Sequence, residues 1–290
     1  MVIHFFSDRS KPRIDFFQLI DGYFASFENC KITSDDNEVV MKFELDNFDF
    51  EYRYLITKRS RVSSLYRLNA NFININLFCE IPTIIPQFLS RKIFAQINEI
   101  CEKFDLEIYY DGLQDIIPFD MFGLINALGS ERVDYLNAHP DIITYRVPMD
   151  KLNDMCNYQN VIDKLPSLIV TKNHEELIAK KYTILADKLT QEVKCSMSWK
   201  IGTPAVFPPH LDYVQIEEED NLVLIVPIET FYKYTKKYMF EVKEDVVDFK
   251  LLYLNEHGAL KAKKLCKKMR KTTVSLRNFD TIKITDLIEF

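Results

Sequence analysis

From Phe48 the chain reads Phe, Asp, Phe, Glu, Tyr, Arg, Tyr, Leu, Ile, which places Phe48, Phe50, Tyr52, Tyr54 and Ile56 on one face of a strand. A face of that size has to be covered. Upstream, Met41, Phe43 and Leu45 alternate with Lys42 and Glu44, and only Asp46 and Asn47 intervene, residues that tolerate a tight turn. The spacing predicts a two-residue hairpin loop in which Leu45 faces Phe48, Phe43 faces Phe50 and Met41 faces Tyr52, with Lys42 opposite Glu51. A third run, Ile73, Ile75, Leu77 and Cys79 against Asn74 and Asn76, extends the strand meander over 39–79. After Pro82 and Pro86 the period changes. Phe88 or Leu89, Ile93, Ile97, Ile100 or Cys101 and Phe104 recur at steps of three and four, predicting an amphipathic helix over 86–104 and then a short strand over 106–110. A helix across one face of a mainly antiparallel sheet is an α+β arrangement, with the Glu, Arg and Asn face left to water.

Around this stretch, Asp15 stands where a helix N-cap belongs, and Phe16, Phe17, Ile20, Tyr23, Phe24 and Phe27 read as the apolar stripe of that helix. A further helix is expected over 115–136, with Met121, Phe122, Ile125 and Leu128 on one side. His139, Pro140 and Asp141 break its pattern, which suggests an N-terminal α+β domain over 1–138 and a mixed C-terminal domain over 139–290. In the second half a Val-Pro step followed by an acidic residue occurs twice, at Val147-Pro148-Asp150 and Val226-Pro227-Glu229, and marks two strand-to-helix transitions. Asn173 and Glu176 predict a capped helix running through Leu177, Ile178, Ile184, Leu185 and Leu189. Strands are expected over 195–201, 211–216, 222–226 and 246–254, then a basic helix over 258–271 and an extended tail.

Composition restricts function more than it defines it. With 290 residues and 47% hydrophobic content a core is assured. No window approaches the ~18–20 apolar residues of a membrane span, and the first residues lack a signal-peptide pattern, so a cytoplasmic protein is expected. Six scattered cysteines read as reduced core thiols. The formal charge of −6 is uneven: His257 to Phe279 holds eight basic residues and no acidic one, leaving 29 basic against 43 acidic elsewhere. General nucleic-acid coating does not fit such an acidic remainder.

The five histidines have no metal-ligand spacing, no serine occupies a nucleophile elbow, and six glycines make no phosphate loop, so neither metal nor cofactor is called for. Three segments remain. Trp199 to Asp212 combines the sole tryptophan, a Gly202-Thr203-Pro204 turn and a His210/Asp212 pair that would suit acid–base chemistry in a pocket walled by Trp199. Arg59 and Arg61 lie with Lys58 and Arg67 in a serine-bearing loop free of acidic neighbours, an anion-binding pattern. The helix of Lys263, Lys264, Lys267 and Lys268 offers cations around a stripe of Leu260, Leu265, Cys266 and Met269 that would dock it. The favoured expectation is a non-enzymatic, adaptor- or inhibitor-like protein whose acidic bulk meets a protein partner with a basic surface. The alternatives are an enzyme using the Trp199–Asp212 loop, or polyanion binding through the basic helix, with nucleic-acid affinity expected to vanish near physiological salt.

Overall fold

The alternation ending at Ile56 does form a strand and bury its face, in a chain whose contacts divide into two units, Met1–Ile143 and Thr144–Phe290. The computed structural model describes residues 1–62, 65–169, 176–218, 222–242 and 248–290. In the first unit, β1 (Val2–Asp8), β2 (Cys30–Ser34), β3 (Glu38–Leu45), β4 (Phe50–Thr57), β5 (Phe72–Glu80) and β6 (Leu106–Tyr110) make one sheet in the order β2-β3-β4-β5-β1-β6. All neighbours are antiparallel. Its helices are α1 (Phe16–Ile20), α2 (Gln87–Phe104) and α3 (Met121–Ala138). The class is α+β.

The β3–β4 hairpin is looser than its sequence suggests. Asp46–Phe48 form a 3-10 turn closed by Asp49 at φ 49°, so Leu45 pairs with Phe50, Phe43 with Tyr52 and Met41 with Tyr54. A shift of two residues keeps every side chain on its expected face, because the strand period is two. Lys42 consequently stands opposite Arg53 and reaches Glu51 diagonally at 2.5 Å. On the buried face Phe43 stacks on Tyr52 at 5.1 Å, and Tyr52 donates a hydrogen bond to Gln96 of α2 at 2.8 Å. Helix α2 presents Leu89, Ile93, Phe94, Ile97 and Ile100 to this core, each contributing about 1.5–3 kcal/mol by burial.

The opposite sheet face is not simply wet. Strand β1, unassigned from sequence, lies between β5 and β6, and Ile3, His4, Phe5, Phe6 and Ser7 are all buried, so there is no alternation to read. His4, Leu55 and Phe78 share the second face and are covered there, with the Arg61 guanidinium 4.8 Å from the Phe78 ring centroid. The alternation of β5 also breaks, at Asn76, which has φ 60° where the β1 register shifts. Asp15 caps α1 as expected, but the helix ends at Ile20; the chain turns through Asp21–Tyr23, burying Tyr23 and Phe24 and leaving Phe17 outside. Helix α3 starts later than expected because Ile117 pairs with Ile108 as extended chain, and Phe122 is exposed while Leu124 and Leu128 are buried.

In the second unit β7 (Tyr145–Val147) leads through Pro148 into α4 (Met149–Val161), followed by α5 (Leu165–Leu168). Strands β8 (Thr183–Asp187), β9 (Val193–Lys200), β10 (Ala205–Phe207), β11 (Tyr213–Glu217) and β12 (Val223–Pro227) come next, and Pro227 opens α6 (Ile228–Thr235). Both Val-Pro transitions are therefore as read. The chain ends with β13 (Phe240–Glu241), β14 (Leu252–Leu254), α7 (Glu256–Met269), β15 (Phe279–Ile282) and β16 (Leu287–Glu289). The main sheet has the order β12-β11-β9-β8-β15, with β9 and β11 parallel, and β10-β14-β13 and β16-β7 are smaller sheets. The helix expected through Leu189 is not present in its described part: Ile184 and Leu185 are consecutive buried residues of β8, and a run covered on both sides mimics a helix face. Asn173 and residues 246–247 of the expected 246–254 strand lie outside the described residues, and in the rest of that stretch the strand is confined to Leu252–Leu254.

Burial pushes the His4 imidazole down to about 4, with nearby Asp111 opposing and Arg61 reinforcing the shift. Since the unfolded group titrates near 6.5, the unfolded chain binds the proton first as pH falls. Stability contributed by neutral His4 is thus complete above about pH 6.5 and is lost progressively down to about pH 4, by up to ~3 kcal/mol. We expect His4→Phe to remove this component, measured as a smaller fall in unfolding free energy than wild type between pH 6.5 and 4 in urea titrations.

Candidate functional site

Trp199, in β9, is buried at 1% exposure among Phe207 and Phe231, and its Nε1 donates to the Thr203 carbonyl at 2.9 Å. It is therefore a core side chain rather than a pocket wall. His210 does not pair with Asp212. Its Nε2 lies 2.7 Å from Asp154 Oδ2 on α4, and the His210 backbone is left-handed at φ 55°. Asp212 is used structurally, accepting the Cys195 N–H at 2.7 Å with Lys151 Nζ at 3.6 Å. The nearby Cys195 thiol is pushed up to about 12 by burial, so it is protonated at neutral pH and is no nucleophile. The His210–Asp154 pair is partly exposed, and His210 lines none of three open concavities formed by the described residues.

The basic loop of the first unit is also different in space. Arg61 bridges Glu38 at 3.3 Å and Glu80 at 3.5 Å, so its charge is matched by acids distant in sequence. Arg59 is exposed, Thr57 Oγ1 donates to its carbonyl, and Ser63 and Ser64 lie outside the described residues.

The basic helix is where a site takes shape. Asn255 caps α7 by accepting the Gly258 N–H at 2.8 Å. Docking is carried by Gly258, Ala259, Ala262, Cys266 and Met269, not by Leu260, which is 49% exposed. Small residues let the backbone come close: a Cβ on Gly258 would lie 2.6 Å from the Tyr238 carbonyl oxygen. On one flank of α7, Leu260, Lys263, Lys264 and Lys267 follow helical spacing and, with Arg270, border an open groove of about 810 Å³. The other wall holds Ile201 and Glu218, so the turn after Trp199 and the basic helix, separate in sequence, build one concavity. Gly202 makes their contact possible, since it has φ 83° and an added Cβ would stand 3.2 Å from Lys263 Cδ. Glu218 holds Arg270 at 2.5 Å. Lys268 points to solvent and is not part of the groove lining.

Chemically the groove is lined by four cations, of which Arg270 is paired with Glu218, around an apolar floor of Leu260, Ile201 and the Cys266 thiol. It can hold an anionic ligand that also carries apolar surface. Sequence reasoning found the lysines but missed Ile201, Glu218 and the outward role of Leu260; the shared spacing of Leu260, Lys263, Lys264 and Lys267 was the available signal. Among the described residues no His, Cys, Asp and Glu group is arranged to hold a metal ion, and no helix is long and apolar enough to cross a membrane.

Because Gly202 is left-handed and abuts Lys263, Gly202→Ala is expected to cost about 1–2 kcal/mol, with the unfolding midpoint in urea as the measurement. No protein-family model, no curated protein and no solved structure matches this chain.

Proposed function

We propose that the chain is a non-enzymatic protein-binding protein that engages its partner through the α7 groove. The observation that supports this is the groove's composition: a cationic rim over an apolar floor, with Glu218, the one acid among its described lining residues, paired to Arg270. Such a surface provides attraction and desolvation to a partner of opposite charge. The polarity of the partner follows by complementarity. Where the sequence alone favours a basic partner, this concavity favours an acidic segment. The acidic excess of Met1–Ile143, 22 acidic against 14 basic residues, supports a second contact with a basic surface.

Affinity capture with immobilised wild type and with a Lys263→Glu/Lys264→Glu/Lys267→Glu variant tests this reading. At low and moderate salt we expect a stoichiometric protein retained by wild type and released by the variant. Retention of no protein at either salt would refute the function.

A further inference from the structure

We infer that the α7 groove binds an extended acidic peptide segment containing an aliphatic anchor residue, an assignment that rests on the protein-binding reading of the same site. Length is the first argument. Leu260 to Arg270 covers about 15 Å of helix at ~1.5 Å per residue, which matches four or five residues of extended chain at ~3.3 Å each. A peptide of that length can set carboxylates against Lys264, Lys267 and Arg270 while one side chain in the middle rests on Leu260, Ile201 and Cys266.

The floor is the second argument. It is apolar, with no aromatic ring among the described groove-lining residues, whereas single-stranded nucleic acid binds by stacking bases on such rings. Half-exposed Leu260 has a use in a peptide complex, since covering it removes apolar surface from water.

Glu218 is the third. Its side chain is only 16% exposed, and it stands inside the cationic rim, bonded to Arg270. A continuous phosphate chain would have to compete with this carboxylate for Arg270 wherever it lies in the groove. A peptide carries discrete charges and can place a neutral residue there, or offer Arg270 a second acceptor beside Glu218. Glu218 therefore acts as a selectivity residue, keeping the cationic rim from being a general polyanion site.

Fluorescence anisotropy with the full chain tests the assignment. The probes are a labelled peptide of glutamates around a single leucine, the same peptide with serine for leucine, and a labelled oligo-dT of similar charge. Lys264→Ala/Lys267→Ala should weaken the leucine peptide by about tenfold or more, at unchanged circular dichroism and unfolding midpoint. Leu260→Ser should reduce the leucine peptide to the affinity of the serine peptide and leave the latter unaltered. Glu218→Gln should raise oligo-dT affinity more than peptide affinity. The assignment is overturned if the leucine peptide fails to bind at low salt, if its affinity ignores the lysine pair, or if oligo-dT binds wild type more tightly. A captured partner that survives the groove substitutions overturns the groove assignment while leaving protein binding intact. Peptide binding with no captured protein does the reverse.

Discussion

The close approach of α7 to the body of the second unit is the constraint on which its candidate site depends. Gly258, Ala259 and Ala262 form a face with almost no side chain, and larger groups at Gly258 would strike the Tyr238 carbonyl. Apolar contact over such a face is modest per residue, but the seat is well filled, with Cys266 and Met269 extending it along the helix. Seated this way, α7 has its orientation about its own axis set by packing. That orientation is what places Leu260, Lys263, Lys264 and Lys267 together along one flank.

The cations of the two units illustrate how differently the same residue types are used. Arg61 is drawn onto the Phe78 ring and between Glu38 and Glu80, so its charge is spent within the fold. Such partly exposed pairs add little stability individually, and the covering of apolar surface by the guanidinium is the larger effect. Along α7 the cations Lys263, Lys264 and Lys267 follow one another at helical spacing, and Arg270 is matched to Glu218. Like charges at helical spacing repel by a few tenths of a kcal/mol per pair, a cost that a bound anion relieves.

Legibility followed burial geometry. Helix α2 is covered on one side and β4 alternates from Phe50 to Tyr54 before Leu55 is covered on the other face, so their periods of 3.6 and two stand out in the sequence to within a residue or two. Strands β1 and β8 are covered on both sides, and their apolar runs carry no period, so the first gives no signal in the sequence and the second mimics a helix face. Loop detail was equally hidden, since the 3-10 turn at Asp46–Phe48 and the left-handed Asp49 shift a register that the alternation alone cannot distinguish from its neighbour two residues away.

By itself the amino-acid order determined the α+β class, the aromatic face of the central hairpin, the Val-Pro entries to α4 and α6, and the concentration of lysine in α7, because each follows from contacts or dihedral limits within a few residues. Only the tertiary structure decided which charges meet. His210 turned to Asp154, 56 positions away, instead of Asp212. Trp199 entered the core while the turn just beyond it became a wall for α7, and Glu218 found Arg270 across 52 positions. Side-chain pairing across such separations depends on how whole elements pack, and packing is a property of the assembled surfaces that no local pattern in the chain encodes.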